Sequence, residues 1–239
     1  MKLQARRTEK LFMTILAFEF SSPQRSVAVT RAGRVCSEVV ETGARPGAGA
    51  SPRQTAATRA FGMITDVLRE AGLEREQIEI LAVGLGPGSY TGVRLALALA
   101  QGWQLACGTK LLGVGSLDCL AAQAQAEGIF GRVSLIVDAQ RNEFYLATYG
   151  ISAKGWHQVE PPRIWTLPEV QSRTETRGIL AGPEAARWFP GSRTIFPRAA
   201  TLARLALERN DFVAGEKLEP IYLREVTFAK APAPKPAAH

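Results

Sequence analysis

Residues 84–92, GLGPGSYTG, place Gly84, Gly86, Gly88 and Gly92, with Pro87, Ser89 and Thr91, between an apolar run and a long apolar stretch of helical character. Such a loop could cradle an anion on free N–H groups at a helix start, form a catalytic turn, or pack a helix tightly against a neighbour. A GxGxxG match fails, because the last position falls on Ser89 when counted from Gly84 and on Thr91 when counted from Gly86; no lysine follows to complete a P-loop. Without a lysine or a metal-binding carboxylate the cradle would bind weakly. Gly86-Pro87-Gly88 suits a tight turn, and Ser89 or Thr91 suits the cap of the helix behind it.

Other candidates for chemistry are sparse. Ser116, Asp118 and Cys119 could be read as a nucleophile cluster, but capping by Ser116 and burial of Cys119 explain them with less. The two histidines, His157 and His239, and the three cysteines, Cys36, Cys107 and Cys119, form neither HExxH nor CxxC, so a zinc site has little support. An odd cysteine count also points to a reducing compartment, the cytoplasm. Net charge is +7, yet the first twelve residues contribute +3 and the tail from Ala229 +2, which leaves +2 on the body. A near-neutral body with basic ends is a weak footprint for nucleic acid. No stretch is apolar enough to span a membrane.

The elements that must position the loop follow from hydrophobic period. TILAFEF (14–20) reads as a buried strand, and RSVAVTRAG and GRVCSEVVE add two antiparallel strands through hairpin turns. The period becomes helical from about Pro52 to Leu73. IEILAVGLG is a strand reached through a helix, hence parallel to the first. A second helix, a short strand KLLGVGS and a third helix follow. RVSLIVDAQRNEFYLATYG then repeats strand, polar turn, strand, with Asp138 in the place of Glu19; HQVEPPRIWT is an edge strand on account of its prolines. A short helix LPEVQSRTE, a strand GILAG and a late helix RAATLARLALERN complete the pattern. It predicts a duplicated βββαβα unit, with GARPGAGAS (43–51) as a loop. The second helix carries Val93, Leu95, Leu97, Leu99, Trp103 and Leu105 between small residues and is apolar nearly all round, so one face meets its own sheet and the other asks for a lid. A partner protein, internal core and anion binding remain three readings of this stretch, of which partner packing explains most.

VGLGPGSYTGVRLALALAQG followed by LLGVGSLDCLAAQA resembles the TsaB (YeaZ) family; VDAQRNEFYLATY and LEPIYLRE resemble its later motifs, so the likeness spans roughly residues 14–226. Tyr90, Val93 and Gln140 replace the family's usual Phe, Leu and Arg, Glu19-Phe20-Ser21 stands where Asp-Thr-Ser is usual, and Ala56 falls near a frequent His. The resemblance implies an α/β fold of the actin/hexokinase/Hsp70-like class, two duplicated ribonuclease-H-like lobes. The expected division is a flexible extension 1–12, a first lobe 13–112, a shorter second lobe 113–226 whose end returns to the first, and a disordered tail 227–239. It implies a non-catalytic subunit that pairs with a TsaD-like catalytic subunit and a TsaE-like ATPase in making threonylcarbamoyladenosine on tRNA, touching tRNA indirectly and forming a homodimer as the alternative when alone. The implied interface comprises Phe61, Ile64, Leu68, Arg94, Leu97, Ala100 and Gln101. For Arg94, an anchor for a carboxylate or the loop and an internal salt bridge weigh equally. ATP, ADP and metal are expected only on the partners, because the turns EFSSPQ and DAQRNE lack glycine. A small-molecule kinase of the same superfamily is the runner-up; a metallopeptidase and a direct tRNA binder are weaker readings.

Overall fold

The structure, a computed structural model, describes residues 13–42, 56–174 and 178–224. The expected extension 1–12, the loop 43–51 and the tail 227–239 lie outside the described residues. The first half contains β1 (Thr14–Glu19), β2 (Gln24–Arg31), β3 (Arg34–Thr42), α1 (Ala56–Ala71), β4 (Ile80–Gly84), α2 (Tyr90–Cys107) and β5 (Lys110–Val114). After α3 (Ser116–Ala126) come β6 (Gly131–Asp138), β7 (Glu143–Ser152), β8 (Gly155–Thr166), α4 (Leu167–Thr174), β9 (Ile179–Gly182), α5 (Ala185–Trp188), β10 (Arg193–Thr194) and α6 (Ala199–Leu207).

The two sheets have one plan. The first runs β3-β2-β1-β4-β5 and the second β8-β7-β6-β9-β10. In each, a central strand pairs antiparallel with its hairpin partner and parallel with the strand reached through a helix. Equivalent helices follow equivalent strands, so the expected duplication of a ribonuclease-H-like unit is present element by element. β8 is an edge strand, where Pro161 and Pro162 remove no central ladder bond.

β1 is buried along its whole length because both faces of its sheet are covered. Alternation divides its side chains: Leu16, Phe18 and Phe20 join α1 and α2 in one core, whereas Ile15 and Ala17 join α6 in another. The helices that follow each sheet cross over. α3 packs Leu117, Leu120, Ala121 and Ala124 on the second sheet, and α6 packs Ala199, Leu202, Ala203 and Ala206 behind the first. The start of α6 is held there by Ser26, whose Oγ accepts the Ala199 N–H at 2.8 Å, and by Glu38, whose Oε1 accepts the Ala200 N–H at 3.1 Å and whose carboxylate grips Arg198. A carboxylate is well placed against the positive end of a helix. Residues 213–222 then run back along the first lobe: Val213 bonds Leu111, Gly215 bonds Gln104, and Ile221 bonds Leu85.

Candidate functional site

The glycine loop between β4 and α2 is filled by the protein itself. A Cβ at Gly88 (φ +154) would lie 2.1 Å from the Ser21 carbonyl oxygen, and one at Gly92 would lie 2.0 Å from that of Phe20. The absent side chains let the end of β1 rest on the loop, and Ser89 N–H donates to Ser21 O at 2.7 Å. Ser89 is the N-cap of α2, its Oγ accepting the Gly92 N–H at 3.2 Å; Thr91 is not the cap. Gly86 is tied to Ser116 in both directions, N–H to Oγ at 3.1 Å and carbonyl to the Ser116 N–H at 2.8 Å. Carbonyl oxygens therefore stand where a cradled phosphate would need donors.

Ser116 does not cap α3, whose N-cap is Gly115. Its hydroxyl reaches Glu19 Oε2 at 3.1 Å. Asp118 accepts the Tyr149 hydroxyl at 2.8 Å, and the Cys119 thiol is buried, pushed well up by that burial, and faces the Arg198 carbonyl. Each side chain of the sequence-level nucleophile cluster is committed to a different structural partner.

The outer faces of α1 and α2 correct the residue assignment for the interface. Ile64, Leu68, Leu97 and Ala100 are buried at 6% exposure or less, packed against the sheet as core. The apolar helical stripe is the face that a helix needs for its own sheet, so reading it as the partner face selects the wrong side. Gln101 is half-buried, its Nε2 donating to the Gly215 carbonyl at 2.9 Å; the turn at 215–217 thus covers one flank of α2. Phe61 and Arg94 do face outward. Phe61 is 57% exposed, and the sequence reading passed over Tyr90 at 58% and Leu105 at 88%. Ala98 and Gly102 are exposed between Arg94 and Leu105, and an added Cβ at Gly62 or Gly102 would meet nothing. Arg94 forms no ion pair among the described residues: its guanidinium lies 4.3 Å from the Tyr90 ring centre and donates to the Tyr222 hydroxyl at 3.0 Å.

A cleft of about 480 Å³ opens between the lobes. Its lining includes Ser21, Ser22 and Pro23 of the β1–β2 turn, Gly88–Thr91 at the start of α2, and Asp138, Ala139 and Gln140 of the β6–β7 turn. Glu19, at the end of β1, does not reach it. The Glu19 carboxyl is wholly buried, accepting the Ser21 N–H at 2.8 Å and the Ser116 hydroxyl, and burial raises its pKa above the usual carboxylate value. Asp138, its counterpart, is spent on the Gln140 N–H at 2.7 Å. Burial and then the charge of Asp138 push Glu184 up to about 6. Neither turn contains a glycine, and the Phe20 and Ser21 carbonyls pack on the glycine loop, so neither turn offers the close backbone approach by which a glycine-containing hairpin holds nucleotide phosphates. Among the described residues no group of three His, Cys, Asp or Glu gathers to hold a metal, and no helix is long and apolar enough to cross a membrane.

Residues 34–207 match the protein family described as "TsaD: tRNA N6-adenosine threonylcarbamoyltransferase". The chain is 31% identical to the tRNA threonylcarbamoyladenosine biosynthesis protein TsaB of Escherichia coli K12, over 73% of this chain and 83% of that one. The chain belongs to the TsaB family. The TsaB of Haemophilus influenzae is 28% identical over 92% of this chain and 98% of its own. A Pseudomonas aeruginosa crystal structure, described as an uncharacterized protein with similarity to peptidase YEAZ, superposes with a TM-score of 0.71 at 27% identity, covering 89% of this chain and all of that one.

The C-terminal motif of this TsaB-family chain, PIYLR (220–224), joins the lobes. Tyr222 lies beside Tyr90, the rings tilted by 36° with centres 6.2 Å apart, and accepts from Arg94, while Arg224 donates to the Ala139 carbonyl at 3.1 Å and pairs with Glu143 at 2.5 Å. One segment thereby connects the start of α2 to the β6–β7 turn.

Proposed function

We propose that this TsaB-family chain is an accessory subunit in the synthesis of threonylcarbamoyladenosine on tRNA, and that it docks on a TsaD-like catalytic subunit through the outward ridges of α1 and α2. The observation that carries the docking surface is the exposed row of Phe61, Tyr90, Arg94 and Leu105, interrupted by Gly62, Ala98 and Gly102, which leave room for another helix to approach. Tyr and Arg are the residue types that dominate interface energetics. The names of the relatives supply the pathway, and the structural commitments of Glu19, Ser116 and Cys119 favour a role without catalysis. In this reading a TsaE-like ATPase joins the assembly, tRNA is met through the partners, nucleotide and metal belong to them, and the complex works in the cytoplasm. The peptidase label carried by the structural relative finds no support here: the one histidine in the described residues, His157, is exposed on β8 with its ring over Gly150.

The test is co-purification with the organism's own TsaD-like protein. Phe61→Glu and Ala98→Glu should fold with the wild-type circular dichroism and lose the partner; a surface variant at Glu74 should keep it. Retention by both glutamate variants would move the interface elsewhere. Molar mass of the chain alone, before and after these changes, shows whether the same face makes a homodimer in the partner's absence.

A further inference from the structure

The cleft has a wall with more positive charge than the protein neutralises. Arg25 on β2 lies directly across from Glu41 on β3, and Arg59 in the first turn of α1 approaches the same carboxylate at 3.7 Å. Glu41 thus pairs loosely with Arg59 and lies across the strands from Arg25, with which it forms no ion pair within 4 Å. Arg25 Nη1 and Arg59 Nε are both shielded from solvent and have no hydrogen-bond partner among the described residues. All three side chains line the cleft. Burial first, and then the neighbouring charge of Arg59, weaken the hold of Arg25 on its proton. The Phe20 ring, 5.8 Å from the Arg25 guanidinium, offers a face but no acceptor. Buried N–H groups are normally paired, and arginine forks are built for oxyanions.

The remaining lining tells which end of the cleft such a ligand would take. The start of α2 borders the same space, and the N–H groups of its first turn, at Tyr90 and Thr91, have no acceptor within the helix. The opposite wall carries Asp138 and Glu184, which repel an anion. We propose that Arg25 and Arg59 form an oxyanion site in the interlobe cleft, taking a phosphate or carboxylate group by side-chain guanidinium contacts rather than by the backbone cradle that the two glycine-free turns cannot supply. The cleft meets the docking ridge at Tyr90, but the guanidinium contacts come from Arg25 and Arg59, outside that ridge, so anion binding by the chain alone is read separately from docking.

The experiment is titration calorimetry of the whole chain, without partners, against orthophosphate and, separately, acetate, with ionic strength held constant by chloride. Saturable heat with either anion is expected, and displacement of one by the other shows one site; which anion saturates at lower concentration identifies the ligand class. Arg25→Gln and Arg59→Gln should each weaken binding about tenfold. Glu41→Gln, which removes the competing carboxylate, should strengthen it. Arg59 sits at the start of a helix with a single loose ion pair, so its variant keeps the test decisive if Arg25→Gln unfolds. The absence of saturable heat with both anions up to the millimolar range, or equal binding by wild type and Arg59→Gln, overturns the site.

Discussion

The carboxyl group of Glu19 occupies the space that a side chain at position 84 would need: a Cβ on Gly84 would lie 2.1 Å from Glu19 Oε2. The first strand and the glycine loop are therefore fitted to each other through one buried acid. Gly84→Ala should destabilise the chain by about 1–3 kcal/mol, the usual result of overpacking. Because the clash is with a carboxylate and not with backbone, shortening the acid should relieve it. In urea denaturation, Glu19→Asp combined with Gly84→Ala should be more stable than Gly84→Ala alone; strict additivity of the two changes would show that the loop glycine answers to something other than Glu19.

Glu184 makes stability depend on pH in a defined window. Burial, then Asp138, raises its carboxyl from the ordinary 4.5 to about 6, and its Oε2 has no hydrogen-bond partner among the described residues. The folded chain binds this proton more tightly than the unfolded chain does. Its contribution is thus fully present below pH 4.5 and is lost as pH rises through about 6. The swing is about 2 kcal/mol. Glu184→Gln stays neutral throughout, so relative to wild type it should gain stability across that window and no further above it. A gap between the two proteins that stays constant with pH contradicts the assignment.

The sequence carries the sheets more clearly than the faces of the helices. β1 and β6 each carry a short apolar run, ILAF and LIV, closed by an acid and a polar turn, and that local pattern is sufficient for the duplication. α5 and β10, four and two residues long, are too short to show a period in the sequence. The periodic apolar stripe containing Ile64, Leu68 and Leu97 is strongest where the chain needs its own core, whereas the outward ridge is defined by small residues and isolated large ones that carry no period. The pairing of Arg25 with Glu41 was hidden by register. Counting outward from the Arg31–Arg34 pair would set Arg25 opposite Val40; the irregularity at Val29/Thr30 moves it by one residue, onto Glu41.

Leu97 and Ala98 are neighbours in sequence with opposite duties. Leu97 is 5% exposed within the core formed with β1 and β4, while Ala98 faces outward. Leu97→Ala should cost about 2–5 kcal/mol through lost transfer energy and the cavity left behind. Leu97→Glu should fail to fold, since an unpaired charge would be buried. Ala98→Glu changes an exposed helix position between two good helix formers and should shift stability by less than about 0.5 kcal/mol. Thermal melts of the three variants separate these roles, and an unfolded Ala98→Glu would contradict the orientation of α2.

The β6–β7 turn holds three consecutive non-glycine residues in the left-handed region: Gln140 (φ 65), Arg141 (φ 59) and Asn142 (φ 59). Residues with a Cβ pay about 1–2 kcal/mol there, and asparagine tolerates it best. The surrounding bonds impose the conformation. Asp138 accepts the Gln140 N–H, Gln140 accepts the Glu143 N–H at 3.1 Å, and Arg224 fastens Ala139 and Glu143 from outside. Arg141 is exposed, so its side chain can be changed with little loss of packing. Arg141→Gly should therefore raise the unfolding free energy measured in urea by about 0.5–1 kcal/mol, the strain relieved exceeding the entropy that glycine adds to the unfolded chain. Asn142→Gly should gain less, because asparagine starts with less strain. Arg141→Val, a β-branched residue in the same conformation, should lower the midpoint. If valine proves as stable as arginine, the turn adopts another conformation in solution, and its link to Arg224 must be redrawn.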